Sequence, residues 1–341
     1  MASELQRHHQ RTSIRDHYVQ TITNNNLTWI DVQKPTRNVM QQLAEKYHFH
    51  ELSIEDCLSK IEIPKIDKYT DHMFITIHFP VMNDSNDQET TTPTITQLSI
   101  FIGSNYIVTV HQGDLRPLRN IFDICKGDKI QRDEVMGLSS SSGYLLHSII
   151  DTLVDDLFHI LRRIVGNLRD IEDDVFNEQL AIAKEISILR RQIMVLRRAV
   201  IQLRGIFTDL SANVQRYSAE DLTLYYDDVK DHMDKAFEIL EESKETIEIY
   251  KDTDNMLSTE KTNRILSVLT ILFTLSIPAT VIGAFYGMNI HLPGGIEDQG
   301  TWNFLGMYTT FLICIVITIA TVLLMIWLFR RLGWIRISNR R

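Results

Sequence analysis

Apolar residues recur at helical spacing over most of the second half of the chain. From about Tyr144 they follow one another every three or four residues as far as Ile171, which predicts an amphipathic helix. A second pattern of this kind covers residues 180–208, and a third begins near Asp221 and meets no glycine or proline before Pro278. A helix of roughly 60 residues would be about 90 Å long. The sequence therefore predicts long helices forming a stalk over residues 141–264.

The first half of the chain has the mixed pattern of an α/β domain. Residues 27–32, 73–81 and 96–111 are rich in β-branched and aromatic residues, which predicts strands, with a hairpin in the last of them. Helical patterns follow Pro35 and Ser53, and Ser53 is the expected N-cap of the second helix. We predict a compact α/β domain over residues 27–140, preceded by a flexible segment at 1–26.

Two long runs without charge lie near the C-terminus. Residues 265–285 form a run of 21 residues and residues 304–329 a run of 26, whereas about 20 residues are enough to span the hydrocarbon core of a bilayer. A buried core of a soluble protein is the alternative, but two such runs in succession are rare there. We therefore predict an α+β membrane protein that ends in a two-helix transmembrane hairpin, with an extracytosolic loop at 290–303.

Flanking charges predict the orientation of this hairpin. Five arginines follow the second run in the tail at 330–341, whereas the connector at 286–303 has no lysine or arginine and carries Glu297 and Asp298. Because positively charged flanks stay in the cytosol, both termini are expected there. The N-terminal residues lack the apolar stretch of a cleaved signal peptide. The sequence predicts a multi-pass protein of the cell (inner or plasma) membrane.

Composition narrows the classes of function. The formal net charge of -9 and the isoelectric point near 5.7 argue against nucleic acid as a partner, since phosphate binding needs a basic surface. The three cysteines form no CxxC pair, so neither a disulfide framework nor a structural zinc site is expected. The sequence contains no glycine-rich phosphate loop, no metal-hydrolase histidine motif and no nucleophile elbow. We predict that the protein is not an enzyme and has no organic cofactor.

The first uncharged run ends on Tyr286-Gly287-Met288-Asn289, with Pro278 near its middle. The segments YYDDVKDH at 225–232 and KTN at 261–263 precede it. In this order, these segments resemble the CorA-type magnesium/cobalt transporter family, over roughly residues 27–335. The resemblance implies a homopentamer in the lipid bilayer that lets Mg²⁺, and in some members Co²⁺, enter down its electrochemical gradient.

The signature segment suits a hydrated cation. Mg²⁺ prefers octahedral oxygen coordination and loses its water reluctantly, and the amide oxygen of Asn289 can accept hydrogen bonds from such waters. Gly287 permits close approach of neighbouring backbones. The family resemblance implies that Gly287, Met288 and Asn289 form the ion filter. A plain helix C-cap at Asn289 is the alternative.

Further pore-lining positions follow from the same resemblance and lie on one helical face. They are Asn263, Leu269, Ile277 and Thr280. A mostly apolar stripe with occasional polar steps suits a gate that closes by dewetting, although ordinary helix packing would give the same pattern.

An acidic face is predicted on the long helix before the membrane. Eight carboxylates recur there in steps of four and three: Asp227, Asp231, Asp234, Glu238, Glu241, Glu245, Glu248 and Asp252. A solvated surface is the ordinary explanation. The resemblance implies regulatory Mg²⁺ at Asp228, between subunits, and at Asp252 near the cytosolic mouth, with Asp67 and Asp71 as candidate ligands from the adjacent subunit. Bound Mg²⁺ would hold crowded carboxylates together and favour a closed state.

Two other functions remain open at this stage. A zinc or cobalt/nickel transporter on the same scaffold would favour histidine or cysteine ligands; the predicted pore face has none, but His291 follows the signature closely. A membrane-anchored helical scaffold that moves no ion would explain the long helices and the hairpin, but it gives no reason for the Tyr-Gly-Met-Asn segment.

Overall fold

The computed structural model describes residues 18–60, 63–82, 92–137, 141–175, 182–218, 220–288 and 309–332. Internal contacts divide the chain into two units, Met1–Asp254 and Asn255–Arg341.

A six-stranded sheet forms the first part of the larger unit. Its strands are β1 Val19–Asn24, β2 Leu27–Gln33, β3 Lys65–Lys68, β4 His72–Val81, β5 Thr94–Gly103 and β6 Tyr106–His111. Their order is β1-β2-β6-β5-β4-β3, and β2 and β6 are the parallel pair while the other neighbours are antiparallel. The three predicted strand regions, including the β5–β6 hairpin, are confirmed.

The two edge strands were not predicted. β1 pairs with β2 through a two-residue turn in which Asn25 has φ 50°, a conformation that asparagine tolerates. The prediction of a flexible segment up to residue 26 is therefore wrong for Val19–Asn24. β3 has only four residues, none fully buried, so its sequence has no apolar alternation that would reveal a strand.

Helices cover both faces of the sheet. On one face, α1 Arg37–Tyr47 and α2 Glu51–Leu58 pack on a core that includes Phe74, Phe101 and Val108. The expected N-cap of α2 is wrong: His50 caps it, with Nδ1 accepting from the Leu52 amide at 3.2 Å. Ser53 instead lies within the first turn, where its hydroxyl is 2.9 Å from that of Tyr69.

The other face of the sheet supports the long helices. The short helices α3 Arg116–Gly127 and α4 Lys129–Met136 are followed by α5 Ser142–Val175, α6 Ala183–Val214 and α7 Thr223–Tyr286. One continuous core runs from Trp29, Ile75 and Ile100 in the sheet into α5, α6 and the part of α7 up to Ile247. The three predicted long helices are confirmed. α6 extends to Val214 and is followed by a 3-10 turn, Gln215–Tyr217; the predicted turn at Asn177 and Glu178 lies outside the described residues.

The smaller unit consists of the last part of α7 and α8 Thr309–Arg331. Each of these helices contains an apolar segment long enough to cross a membrane, and no part of either segment is buried within the chain. Pro278 lies inside α7. Together with the α/β domain and the long helices, these two segments confirm the predicted fold class. The predicted loop at 290–303 and residues 304–308 lie outside the described residues.

Candidate functional site

Three side chains of the larger unit form a group that could hold a metal ion. Asp151 comes from α5, and Asp228 and His232 come from α7; one ligand atom from each lies within 4.8 Å of the others. His232 is one helical turn after Asp228, so both side chains lie on the same face, and Nδ1 of His232 is 3.8 Å from Oδ2 of Asp228. Asp151 is half-buried and Asp228 is exposed. We call these three residues the α5–α7 cluster.

The beginning of α7 is fixed against the beginning of α5, which places the cluster. The completely buried Tyr226 donates a hydrogen bond from its hydroxyl to the carbonyl of Gly143 at 3.0 Å. A Cβ at Gly143 would lie 2.8 Å from a methyl group of Leu222, so the side chain of Leu222, the residue before α7, packs closely over this glycine. Asp151, two turns after Gly143, consequently lies beside the first turns of α7.

The charges around Asp151 favour a bound cation. Burial raises the pKa of the Asp151 carboxyl, and the neighbouring carboxylates of Asp155 and Asp228 raise it further, while His147 and His232 lower it. Among the described residues, the charged groups that act on the pKa of Asp151 include no lysine or arginine. A divalent cation would relieve this repulsion between carboxylates.

The other predicted metal ligands lie outside this cluster. Asp67, on β3, is 2.8 Å from Nζ of Lys65. The hydrogen bonds that the Lys65 ammonium donates to Asp56 and Asp67 raise its pKa above the usual range. Asp71 is exposed in the turn between β3 and β4, and Asp252 is exposed on α7. Within the larger unit, therefore, Asp228 alone among the predicted ligands belongs to the α5–α7 cluster.

The acidic face of α7 is divided into two rows. Asp234, Glu241 and Glu248 form ion pairs with arginines of α6, at Arg204, Arg197 and Arg190 respectively. These pairs recur every seven residues on both helices and run antiparallel. A second row is exposed and has no ion pair among the described residues: Asp231, Glu238, Glu245 and Asp252. Helix packing therefore uses three of the eight predicted carboxylates.

The predicted pore positions lie on α7 in the smaller unit. Asn263, Leu269, Ile277 and Thr280 are all exposed within the single chain. The Thr280 hydroxyl donates to the carbonyl of Ser276 at 2.9 Å, and hydroxyls at 270, 274 and 276 bond to backbone carbonyls in the same way. Such bonds satisfy hydroxyl groups in an apolar environment, so polarity on this helix does not by itself identify a pore.

The signature segment is described up to Met288. The Gly287 amide donates to the Gly283 carbonyl at 2.9 Å, and a Cβ at Gly287 would lie 3.0 Å from that carbonyl oxygen. The absence of a side chain at Gly287 thus allows its backbone to lie close to the Gly283 carbonyl at the end of α7. Met288 is 52% exposed, and Asn289 lies outside the described residues.

The sequence analysis missed Asp151 and His232. His232 was detectable in part, because it follows Asp228 by four residues within the acidic helix. Asp151 has a local signal only in its spacing from His147 and Asp155, which places the three on one face of α5. The pairing of that face with the first turns of α7 depends on long-range packing, which no local pattern reveals.

Comparison with known proteins shows what the chain resembles. Residues 24–331 match the family model described as CorA-like Mg²⁺ transporter protein. The cobalt/magnesium transport protein CorA of Thermotoga maritima is 25% identical over 280 residues, covering 81% of this chain and 76% of that protein. The zinc transport protein ZntB of Pectobacterium carotovorum is 23% identical over 197 residues, covering 58% of this chain and 57% of that protein.

A solved structure supports the fold. The complete structure of the CorA magnesium transporter from Methanocaldococcus jannaschii superposes with a TM-score of 0.71 at 20% identity, covering 93% of this chain and 94% of that one. Because the family model covers most of the sequence and the fold agrees over nearly the whole chain, the protein belongs to the CorA-like Mg²⁺ transporter family, a family of divalent-cation transporters and not of enzymes.

Proposed function

We propose that the chain is one subunit of a homopentameric Mg²⁺ channel that is closed by cytosolic Mg²⁺. The observation that carries the proposal is the α5–α7 cluster. Two of its residues, Asp228 and His232, lie on α7, the helix that continues into an apolar segment long enough to cross a membrane. One or two such helices per subunit cannot enclose a pore, so an oligomer is required. The family and its cobalt/magnesium relative support Mg²⁺ as the transported ion, with Co²⁺ as a second one.

Ion entry follows from the predicted topology. Both termini face the cytosol, the connector at 290–303 faces outward, and Glu297 and Asp298 there attract cations. With no ATP motif in the sequence, the membrane potential and the ion gradient drive influx. Residues 1–264 are the cytosolic part in this proposal, and residues 265–289 and 304–329 are the two spans.

The filter is assigned to Gly287, Met288 and Asn289. Five Asn289 amide oxygens around the axis would bind Mg²⁺ through its water shell, which avoids the cost of dehydration. Asn263, Leu269, Ile277 and Thr280 would line the pore below. Persistent Mg²⁺ flux in a correctly assembled Asn289→Ala variant would contradict the assignment.

The gate is assigned to Asp228 and its neighbours. Mg²⁺ bound there would bring Asp151 and Asp228 of one subunit together with a carboxylate of the next and so stabilise the closed state. Asp71, which is exposed, suits the role of that partner better than Asp67, because Lys65 already pairs with Asp67. Asp252 is proposed as a second regulatory ligand nearer the pore.

Limited proteolysis of the full-length protein tests the gate. In the parent, Mg²⁺ should protect the chain from cleavage, because the closed state is more compact. Asp228→Asn removes one charged ligand, so half-protection should require about tenfold more Mg²⁺, which corresponds to about 1.4 kcal/mol of binding free energy.

Asp227→Asn is the matched control. Asp227 is an exposed neighbour on the same helix turn but is not part of the α5–α7 cluster. It should behave like the parent. Equal protection of the Asp228→Asn variant and the parent would remove Asp228 from the regulatory site.

The second candidate function is transport of Zn²⁺, or of Co²⁺ and Ni²⁺, on the same scaffold. The similarity to a zinc transport protein and the imidazole in the α5–α7 cluster favour it. Flux of Zn²⁺ without flux of Mg²⁺ from the same protein would establish it. A scaffold that moves no ion has no such support.

A further inference from the structure

The helix α6 carries a row of exposed cationic side chains that its packing against α7 does not use. The members of this row recur every seven residues, which places them on one face of the helix: they are Lys184, Arg191 and Arg198. All three are exposed, and none forms an ion pair among the described residues. Arg190 and Arg197, each one residue before an arginine of the row, pair instead with glutamates of α7. We call the three residues the cationic row.

A row of exposed carboxylates with the same spacing lies on α7. Its members also recur every seven residues and are Asp231, Glu238, Glu245 and Asp252. We call them the acidic row. Seven residues of an α-helix span about 10.5 Å, so the two rows have the same repeat and opposite charge. Among the described residues, however, no ion pair joins one row to the other within the chain.

Exposed apolar side chains lie beside both rows. Met194 and Ile201 on α6 are 41% and 43% exposed; each follows an arginine of the cationic row by three residues and is its neighbour on the helix surface. Ile249 on α7 is 62% exposed and follows Glu245 of the acidic row by four residues. Protein interfaces combine apolar side chains with charged groups at their rim, so these surfaces fit a protein partner better than a free ion.

The ion pairs within the chain show which residues of the two helices lie at the same height. Arg197 pairs with Glu241, and α6 and α7 run antiparallel, so Arg198 is level with residue 240. Glu238 is two residues from that level, which is about 3 Å along the helix axis. Arg198 and Glu238 therefore lie at nearly the same height on different faces of the chain.

The same relation holds one heptad earlier on α6. Arg190 pairs with Glu248, so Arg191 lies two residues from the level of Glu245. A ring of identical subunits is generated by rotation, and rotation about an axis along these helices changes the height of no residue. In such a ring, the cationic row of one copy and the acidic row of the adjacent copy can face each other in register.

We propose that the cationic row of α6 docks against the acidic row of α7 on an adjacent copy of this chain, with Arg198 facing Glu238 and Arg191 facing Glu245. Because the two rows lie on different faces, each copy uses one row toward each neighbour, and such a heterologous contact can close a ring. The inference rests on the proposed function only for the existence of a homo-oligomer, and it is independent of the transported ion.

Cysteine cross-linking of the full-length oligomer tests the contact. Arg198→Cys combined with Glu238→Cys in one chain should give covalent dimers and higher species with a short thiol-specific reagent, because the two positions meet between subunits. Arg197→Cys with Glu241→Cys replaces a pair within the chain and should give no dimer. Dimer formed by the parent, which keeps its three native cysteines, sets the background.

A second pair of cysteines tests the register. Arg191 is level with residue 247, which is 16 residues from Asp231 of the acidic row, or about 24 Å along the helix axis. Arg191→Cys with Asp231→Cys should therefore give only the background yield of dimer. Arg191→Cys with Glu245→Cys should give a yield like that of the Arg198 and Glu238 positions.

Charge reversal tests whether the facing charges matter. In the oligomer cross-linked through positions 191 and 245, Arg198→Glu or Glu238→Arg alone should lower the dimer yield at least about threefold at low salt, because like charges then face each other. Both reversals in one chain should restore the yield, since the pair is re-formed with opposite polarity. Arg37→Glu, which changes an exposed arginine of α1, is the control and should have no effect.

The outcomes separate this contact from the proposed function. Only background dimer from the Arg198 and Glu238 positions, equal yields from the register control, or no rescue by the double reversal would overturn the inference. If the cross-links form as expected but the oligomer passes no Mg²⁺, the proposed function fails and the contact remains. If Mg²⁺ flux is normal and the cross-links do not form, the contact alone is wrong.

Discussion

Tyr226 illustrates at the scale of one residue how a buried hydrogen bond positions a functional side chain. It is completely buried two residues before Asp228, and its hydroxyl donates to the carbonyl of Gly143. Burial raises the pKa of this hydroxyl well above its usual value, so it remains a neutral donor. The bond links the first turn of α5 to the first turn of α7, close to the residues of the α5–α7 cluster.

Tyr226→Phe should lower the free energy of unfolding by about 1 kcal/mol, the net contribution of a typical buried hydrogen bond. The ring and its packing stay, so no cavity forms. Tyr225→Phe is the control, since Tyr225 is 44% exposed. Thermal unfolding followed by circular dichroism measures both, and an equal effect of the two substitutions would show that the Tyr226–Gly143 bond does not hold the helices together.

At the scale of elements, α6 and α7 are joined by a core and by a row of ion pairs. The guanidinium groups of Arg197 and Arg204 also lie over the ring of Phe237, 5.9 and 4.7 Å from its centroid. The hydrogen bond from Arg197 lowers the pKa of Glu241, and that from Arg190 lowers the pKa of Glu248. Both glutamates therefore stay charged down to a lower pH than an ordinary glutamate.

The stabilisation from these ion pairs should depend on pH. Because the folded pKa of Glu241 lies below its ordinary value of 4.5, its contribution is present above about pH 4.5 and is lost as the pH falls through the folded pKa. Glu241→Gln should lower stability at pH 7 by less than about 1 kcal/mol, since the pair is screened by solvent.

Denaturant unfolding at pH 7 and at pH 3 measures this contribution. The difference between Glu241→Gln and the parent should shrink at the lower pH. Glu245→Gln serves as control, because Glu245 is exposed and has no ion pair among the described residues. A difference that persists undiminished at pH 3 would mean that Glu241 acts through packing and not through its charge.

The elements also show what a sequence can and cannot predict. Strands with dense runs of β-branched and aromatic residues, such as β4 and β5, and helices with long apolar stripes are detectable because their signals are local. β3 is not, since Lys65–Lys68 becomes a strand only by pairing with β4. The acidic row of α7 was visible, but its division into paired and exposed carboxylates depends on the position of α6.

At the scale of the whole molecule, the contrast between the charged residues up to 264 and the two uncharged runs predicted two apolar helices, and the structure has two helices long and apolar enough to cross a membrane. The Tyr-Gly-Met-Asn segment at residues 286–289 indicated the family, because its position at the end of a long helix is as informative as its residue types. The sequence analysis named only Asp228 of the α5–α7 cluster, since Asp151 and Asp228 are distant in sequence. Whether the exposed stripe on α7 lines a pore depends on neighbouring subunits and stays a prediction.

The central claim is that this protein conducts Mg²⁺ through a ring of Asn289 side chains. The direct measurement is Mg²⁺ flux into liposomes that contain the purified oligomer, with a fluorescent indicator inside, low internal Mg²⁺ and an inward-negative potential. We expect flux in the parent and none in an intact Asn289→Ala oligomer. The control Asn303→Ala, which changes an asparagine at the far end of the connector, should have normal flux. Absence of Mg²⁺ flux in the parent, or equal flux in the Asn289→Ala variant, would contradict this account.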